Sequence, residues 1–143
     1  MRRTFINHLT ELAKKNKSIF LLVGDVGYNV VEKFKNHFPD RFLNVGVAEQ
    51  NMTSIAAGLA SEGYHVFTYS IANFPTFRCA EQIRNDVDYH NLPVTIVSAG
   101  AGVGYGNLGY SHHAIQDYSL IRCFPNMLIA IVLFLSSFSP III

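Results

Sequence analysis

The sequence predicts an α/β fold, a mostly parallel sheet in three layers with helices on both faces. Short, continuous apolar runs such as "IFLLVGD" (residues 19–25) read as strands buried on both sides. Amphipathic stretches with apolar residues three and four apart alternate with those runs, the pattern of helices laid across a parallel sheet. The chain of 143 residues is 50% hydrophobic and 15% charged, which suffices for one domain with a real core and excludes disorder.

Phe5, Leu9, Leu12 and Ala13 fall on one face of an opening helix that Asn16 closes. After the strand "IFLLV", a polar helix is predicted from Asn29 to His37, stopped by Pro39. "RFLNVG" is a second strand, and Met52, Ile55, Ala56, Leu59 and Ala60 mark one face of a helix beginning near Glu49. "HVFTYS" is a strand, and Thr76 is placed to cap a helix with Phe77, Ala80, Ile83 and Val87 inward. "VTIVS" is the next strand, then a glycine-rich loop, a helix over 113–122 and a final strand "MLIAIV" over 127–132.

Composition narrows the function classes. A net charge of +1 without a basic run argues against nucleic-acid binding. Cys79 and Cys123 have no metal-ligand spacing, so two buried free thiols in a reducing cytoplasm are expected, with no metal site on this chain. The opening stretch lacks an apolar signal-peptide core, and the charge-free run from Leu128 to Ile143 is broken by serines and Pro140 before it reaches membrane-spanning length. No membrane association is expected. Residues 1–132 are read as one domain and 133–143 as an atypical apolar tail.

In a parallel sheet, ligands sit beyond the carboxyl ends of the strands. The loops to search are 24–29, 46–51, 70–76 and 98–113, and the residues with chemical potential fall in them. Glu49 follows an apolar strand directly into a helix start, where a carboxylate complements the helix dipole in any case. The formal GxGxxG from Gly104 to Gly109 lies too far from its strand and lacks the downstream acidic residue of a dinucleotide fingerprint, so it reads as an active-site loop. His112 and His113 are adjacent, hence about 100° apart on a helix and unable to chelate one metal from one face; one of them is a candidate acid/base group. Ile71, Phe74 and Phe77, spaced by three, are core in most proteins, yet here they straddle a strand end interrupted by Pro75, where aromatics can clamp a flat heterocycle.

"RFLNVGVAEQNM", "AAGLASEGYHVF", "NFPTF" and "GNLGYSHHAIQD", in that order, resemble the pyrimidine-binding domain of transketolase, above all the C-terminal subunit of split, two-polypeptide transketolases. The resemblance runs from about Thr4 to Val132. It implies that Glu49 bonds N1′ of the aminopyrimidine of thiamine diphosphate. A carboxyl lined by apolar groups holds its proton more tightly and can share it with a ring nitrogen. The imino form that results removes the thiazolium C2 proton, and the activated cofactor attacks a ketose carbonyl for two-carbon transfer. Phe74 and Phe77 match the aromatic positions on the pyrimidine, Ile71 stands where an aromatic is usual, and His112 matches a substrate-facing histidine. Gly24-Asp25-Val26 with Gln50-Asn51 resembles the magnesium-diphosphate motif but departs at its third position, Val26, and at the first residue of its closing Asn-Asn pair, Gln50, leaving Asp25 as a candidate polar contact.

Two departures touch the sugar. Ala99-Gly100 stands where a further histidine is usual, and Leu108-Gly109-Tyr110-Ser111 replaces an Asp-Gly-Pro-Thr segment. The resemblance also implies a partner: an N-terminal transketolase subunit carrying the diphosphate-binding domain and the Mg2+, within a homodimer or heterotetramer acting on a sugar or sugar phosphate. The tail "LFLSSFSPIII" stands in place of a Pro-x-Asp segment, and a truncation or altered reading frame is its expected origin. The alternatives are a deoxyxylulose-phosphate synthase or 2-oxo acid dehydrogenase β-type subunit, and a non-catalytic remnant that only dimerises.

Overall fold

A computed structural model describes residues 2–131. Helix α1 (Arg2–Lys15) leads into β1 (Ile19–Val23), followed by α2 (Glu32–His37), β2 (Phe42–Asn44), α3 (Glu49–Ser61) and β3 (His65–Ile71). A single turn, α4 (Ala80–Gln82), runs into a π-helix (Ile83–Asp88), then come β4 (Val94–Ala99) and α5 (Asp117–Ile121). The four strands form one parallel sheet in the order β2-β1-β3-β4. The α/β architecture read from the sequence is the one that forms.

Strand alternation sorts the core into layers. Ile19, Leu21 and Val23 point to the face covered by Ile6, Leu9 and Ala13 of α1 and Phe34 of α2. Leu22 and Val66 point to the other face, onto Met52, Ala56 and Ala60 of α3. A third cluster, Cys79, Ile83, Ile121 and Phe124, packs near Ile96 of β4. Arg41 ties the first layer to the sheet edge, donating to the carbonyls of Ala13, Asn16 and Ile19 while its guanidinium lies 4.1 Å over Phe38. The Ala13 carbonyl lies in the last turn of α1, where helix carbonyls have no intrahelical donor.

Several local expectations give way, each to a competing hydrogen bond or contact. Leu12 is exposed because Thr10 takes the inward place on α1, its hydroxyl returned to the Ile6 carbonyl. Helix α2 starts at Glu32 rather than Asn29, since Gly27 and Asn29 both adopt positive φ. Thr76 does not cap a helix; its hydroxyl donates back to the Ala72 and Asn73 carbonyls, and Phe77 is 41% exposed. Helix α5 starts only at Asp117, because Ala114 is spent on an antiparallel bridge with Gly102. Cys79 is buried but Cys123 is exposed.

The strand predicted over 127–132 does not form within residues 127–131, and Val132 lies outside the described residues, as do the tail residues 133–143. Asp88 holds the preceding turn, accepting from the Asn126 backbone N–H at 2.8 Å while its carbonyl accepts from the Asn126 amide at 2.9 Å. Leu128 and Ile131 are left exposed. No described helix is long and apolar enough to cross a membrane.

His65, at the start of β3, stacks on Phe67 and places Nε2 2.9 Å from the Thr95 hydroxyl. Burial lowers its pKa from the ordinary 6.5. Below that value the unfolded chain binds a proton that the folded chain resists, so stability is full at neutral pH and falls as pH drops through 6.5 towards the folded pKa. Urea midpoints measured from pH 7.5 down to 5 are expected to fall less steeply in His65→Gln than in the wild type.

Candidate functional site

Glu49 opens α3 and is 1% exposed, the deepest carboxylate in the described chain. Its position follows from the local sequence. The residue before it, Ala48, makes no side-chain cap, so the free N–H groups and positive pole of α3 face the carboxylate's own turn. Apolar Met52 and Ala56 press that helix onto the sheet and carry Glu49 over the strand ends.

Two strands shape the pocket around the carboxylate. Ser70, near the end of β3 on the same face as Val66, donates its hydroxyl to Glu49 Oε1 at 2.9 Å. Gly24 follows β1 directly and continues the sheet, its N–H bonding the Tyr69 carbonyl. A Cβ at Gly24 would lie 3.1 Å from Glu49 Oε1 and 3.1 Å from Ser70 Oγ. A Cβ there would press on both side-chain oxygens, and glycine leaves them that room.

The outward oxygen, Oε2, meets Arg78 Nη1 at 2.5 Å. The same guanidinium lies over the Phe74 ring, 4.5 Å from its centroid. Phe74 in turn meets His112 edge-on, with centroids 5.1 Å apart. Glu49, Phe74 and His112, singled out from three separate loops, are thus linked through contiguous contacts, with Arg78 between the first two. Asn73 fastens the arrangement by donating its amide to the Ser111 carbonyl at 2.6 Å.

The two histidines separate by environment. His113 Nε2 lies 2.9 Å from the Gly106 carbonyl, so it donates there and braces the glycine-rich loop. His112 faces the aromatics, with Nδ1 2.9 Å from the Ser111 hydroxyl. Tyr105 fills the space above Gly100, where an added Cβ would collide with the ring, and its hydroxyl accepts from Arg2 at 2.9 Å.

Of the remaining predicted residues, Ile71 ends β3 half-buried and Phe77 stands partly exposed next to Arg78. Asp25, with φ of 55°, belongs to a separate knot: its carboxylate accepts from Asn44 at 2.9 Å and Tyr28 at 3.2 Å. Burial raises the pKa of the Cys79 thiol, which keeps it unreactive beneath the site. Among the described residues no group of three or more His, Cys, Asp or Glu is placed to hold a metal ion. Ser70 and Arg78 escaped the sequence reading. Arg78 lies four residues after Phe74, a spacing that brings side chains together on a turn, and that was its available signal.

Known proteins share this chain's sequence and fold. Residues 1–133 match the family model "Transketolase, pyrimidine binding domain". A Methanocaldococcus jannaschii protein described as a transketolase C-terminal section is 42% identical over 130 residues, covering 90% of this chain and 41% of its own length. One subunit of an apulose-4-phosphate transketolase from Phocaeicola vulgatus is 37% identical over 127 residues, covering 88% of this chain and 41% of its own. The solved structure "Split gene transketolase, inactive beta4 tetramer" superposes with a TM-score of 0.75 at 38% identity, over 87% of this chain and 39% of that one. The chain therefore spans about two fifths of the length of these relatives.

The close approach at Gly24 is testable. Gly24→Ala is expected to push the carboxylate off Ser70 and lower stability by about 1–3 kcal/mol, the usual cost of overpacking. Urea denaturation of the two proteins measures it, and an unchanged midpoint would mean that the pocket has room to spare.

Proposed function

The chain belongs to the transketolase pyrimidine-binding domain family, and from that premise we propose that it is the cofactor-activating component of a thiamine-diphosphate-dependent ketol transferase. The observation that carries the reading is the seating of Glu49: a carboxylate at 1% exposure whose outward oxygen meets a flat N–H donor stacked on Phe74. The residues present fit an aminopyrimidine, because a flat, nitrogen-bearing cation already satisfies both the carboxylate and the aromatic face. When bound, thiamine diphosphate supplies a carbon nucleophile that takes up and passes on a two-carbon unit.

This chain's own residues then have separable tasks. Glu49 holds a proton at the ring nitrogen N1′, its Oε1 kept in place by Ser70. Phe74, with Phe77 and Ile71 around the same strand end, covers the ring and excludes water from it. His112, at the rim beside Phe74, is positioned to hydrogen-bond a sugar hydroxyl. Asp25 contributes a polar rim contact from its knot with Asn44.

A diphosphate-binding partner completes the site. The support is that its relatives are themselves described as one section or subunit of a transketolase, among them a split-gene β4 assembly whose own description calls it inactive. The partner is an N-terminal subunit that holds the diphosphate through Mg2+, and the substrates are a ketose donor and an aldose acceptor. Glu49→Gln is the decisive variant. With the N-terminal subunit, thiamine diphosphate and Mg2+, it should slow C2 proton exchange at least about a hundredfold while leaving assembly intact. Exchange at the wild-type rate in an assembled Glu49→Gln complex would overturn the mechanism.

A further inference from the structure

Arg78 is the cation that reaches Glu49, and its surroundings do not look like those of a permanent structural partner. Among the described residues its side chain has one hydrogen-bonding partner, Glu49. It is 40% exposed while Glu49 is 1% exposed, so one end of the pair is fixed in the core and the other is free to swing into solvent. The guanidinium is flat, carries N–H donors along its edge and stacks on Phe74 at 4.5 Å. A protonated aminopyrimidine offers the same three features to the same two residues. The two groups cannot occupy Glu49 Oε2 and the Phe74 face together.

We propose that Arg78 is a built-in competitor for the pyrimidine site, a latch that covers Glu49 and Phe74 until the aminopyrimidine displaces it. The inference rests on the aminopyrimidine reading of the site and deepens it. In the closed state the latch keeps a buried carboxylate from standing unpaired in an unliganded chain. Binding then exchanges one flat cation for another, so the carboxylate is never left bare. The latch lowers apparent affinity in proportion to the fraction of molecules in which it is closed.

Removing the latch should therefore tighten binding, the opposite of what loss of a ligand-contacting or structural arginine would do. Thiamine is the probe, since it carries the aminopyrimidine but no diphosphate and needs no partner domain. Titrated calorimetrically into this chain, it is expected to bind Arg78→Gln about tenfold more tightly than wild type, as for a latch closed in roughly nine molecules of ten. Arg78→Lys keeps the charge without the flat face and should fall between them. If circular dichroism shows Arg78→Gln unfolded, the lysine variant carries the test, with tighter binding than wild type as the expected result. Unchanged or weaker binding in the folded variants overturns the latch while leaving the pyrimidine reading standing. Thiamine binding by neither wild type nor variant overturns both.

Discussion

The burial of one carboxylate governs the arrangement of this molecule. Desolvating the charge of Glu49 at the end of α3 would cost several kcal/mol were it left without partners. Four features offset that cost, and each comes from a different part of the chain: the positive pole of α3, the Ser70 hydroxyl, the Arg78 guanidinium and the missing side chain of Gly24. They converge because β1 and β3 are hydrogen-bonded neighbours running in the same direction, with Val23 opposite Tyr69. Gly24, the first residue beyond β1, then lies beside Ser70 near the end of β3.

The outer half of the site depends on a second constraint, the fastening of the glycine-rich loop. Positive φ at Gly100, Gly102, Gly106 and Gly109 lets the chain fold back on itself. The fold is then held by the Gly102–Ala114 bridge, the His113 contact to the Gly106 carbonyl and the Asn73 contact to Ser111. One histidine of the pair is thus consumed in building the loop, which leaves the other at the aromatic rim. Tyr105 closes the space over Gly100 and is anchored from α1 by Arg2, so the first helix also helps to shape the rim.

Much of this was legible in the sequence. The strands β1 to β4 and the long helix α3 follow from continuous apolar runs and helical periodicity, because a strand buried on both faces and a helix buried on one leave different residue patterns. Glu49, Phe74 and His112 could be named because each sits in a loop at the carboxyl end of a strand, within segments that resemble one family. The errors were local. Thr76, Leu12 and the start of α5 each went to a nearby backbone or side-chain competitor that periodicity does not register. Within the described residues 127–131 the last predicted strand does not form although its composition is strongly β-like; Asp88 holds a turn at Asn126 just before it.

Apolar spacing and backbone punctuation act over a few residues, so the architecture and the type of group at each strand end can be read along the chain. Tertiary structure alone decided which of these groups meet. The pairing of Glu49 with Arg78 and Ser70 joins residues 29 and 21 positions apart, and nothing local to either end specifies it. The same holds for the division of labour between two adjacent histidines, which share a sequence context and differ only in what the folded loop places beside each ring. Contacts of this kind arise from strand order, and strand order is a property of the whole sheet.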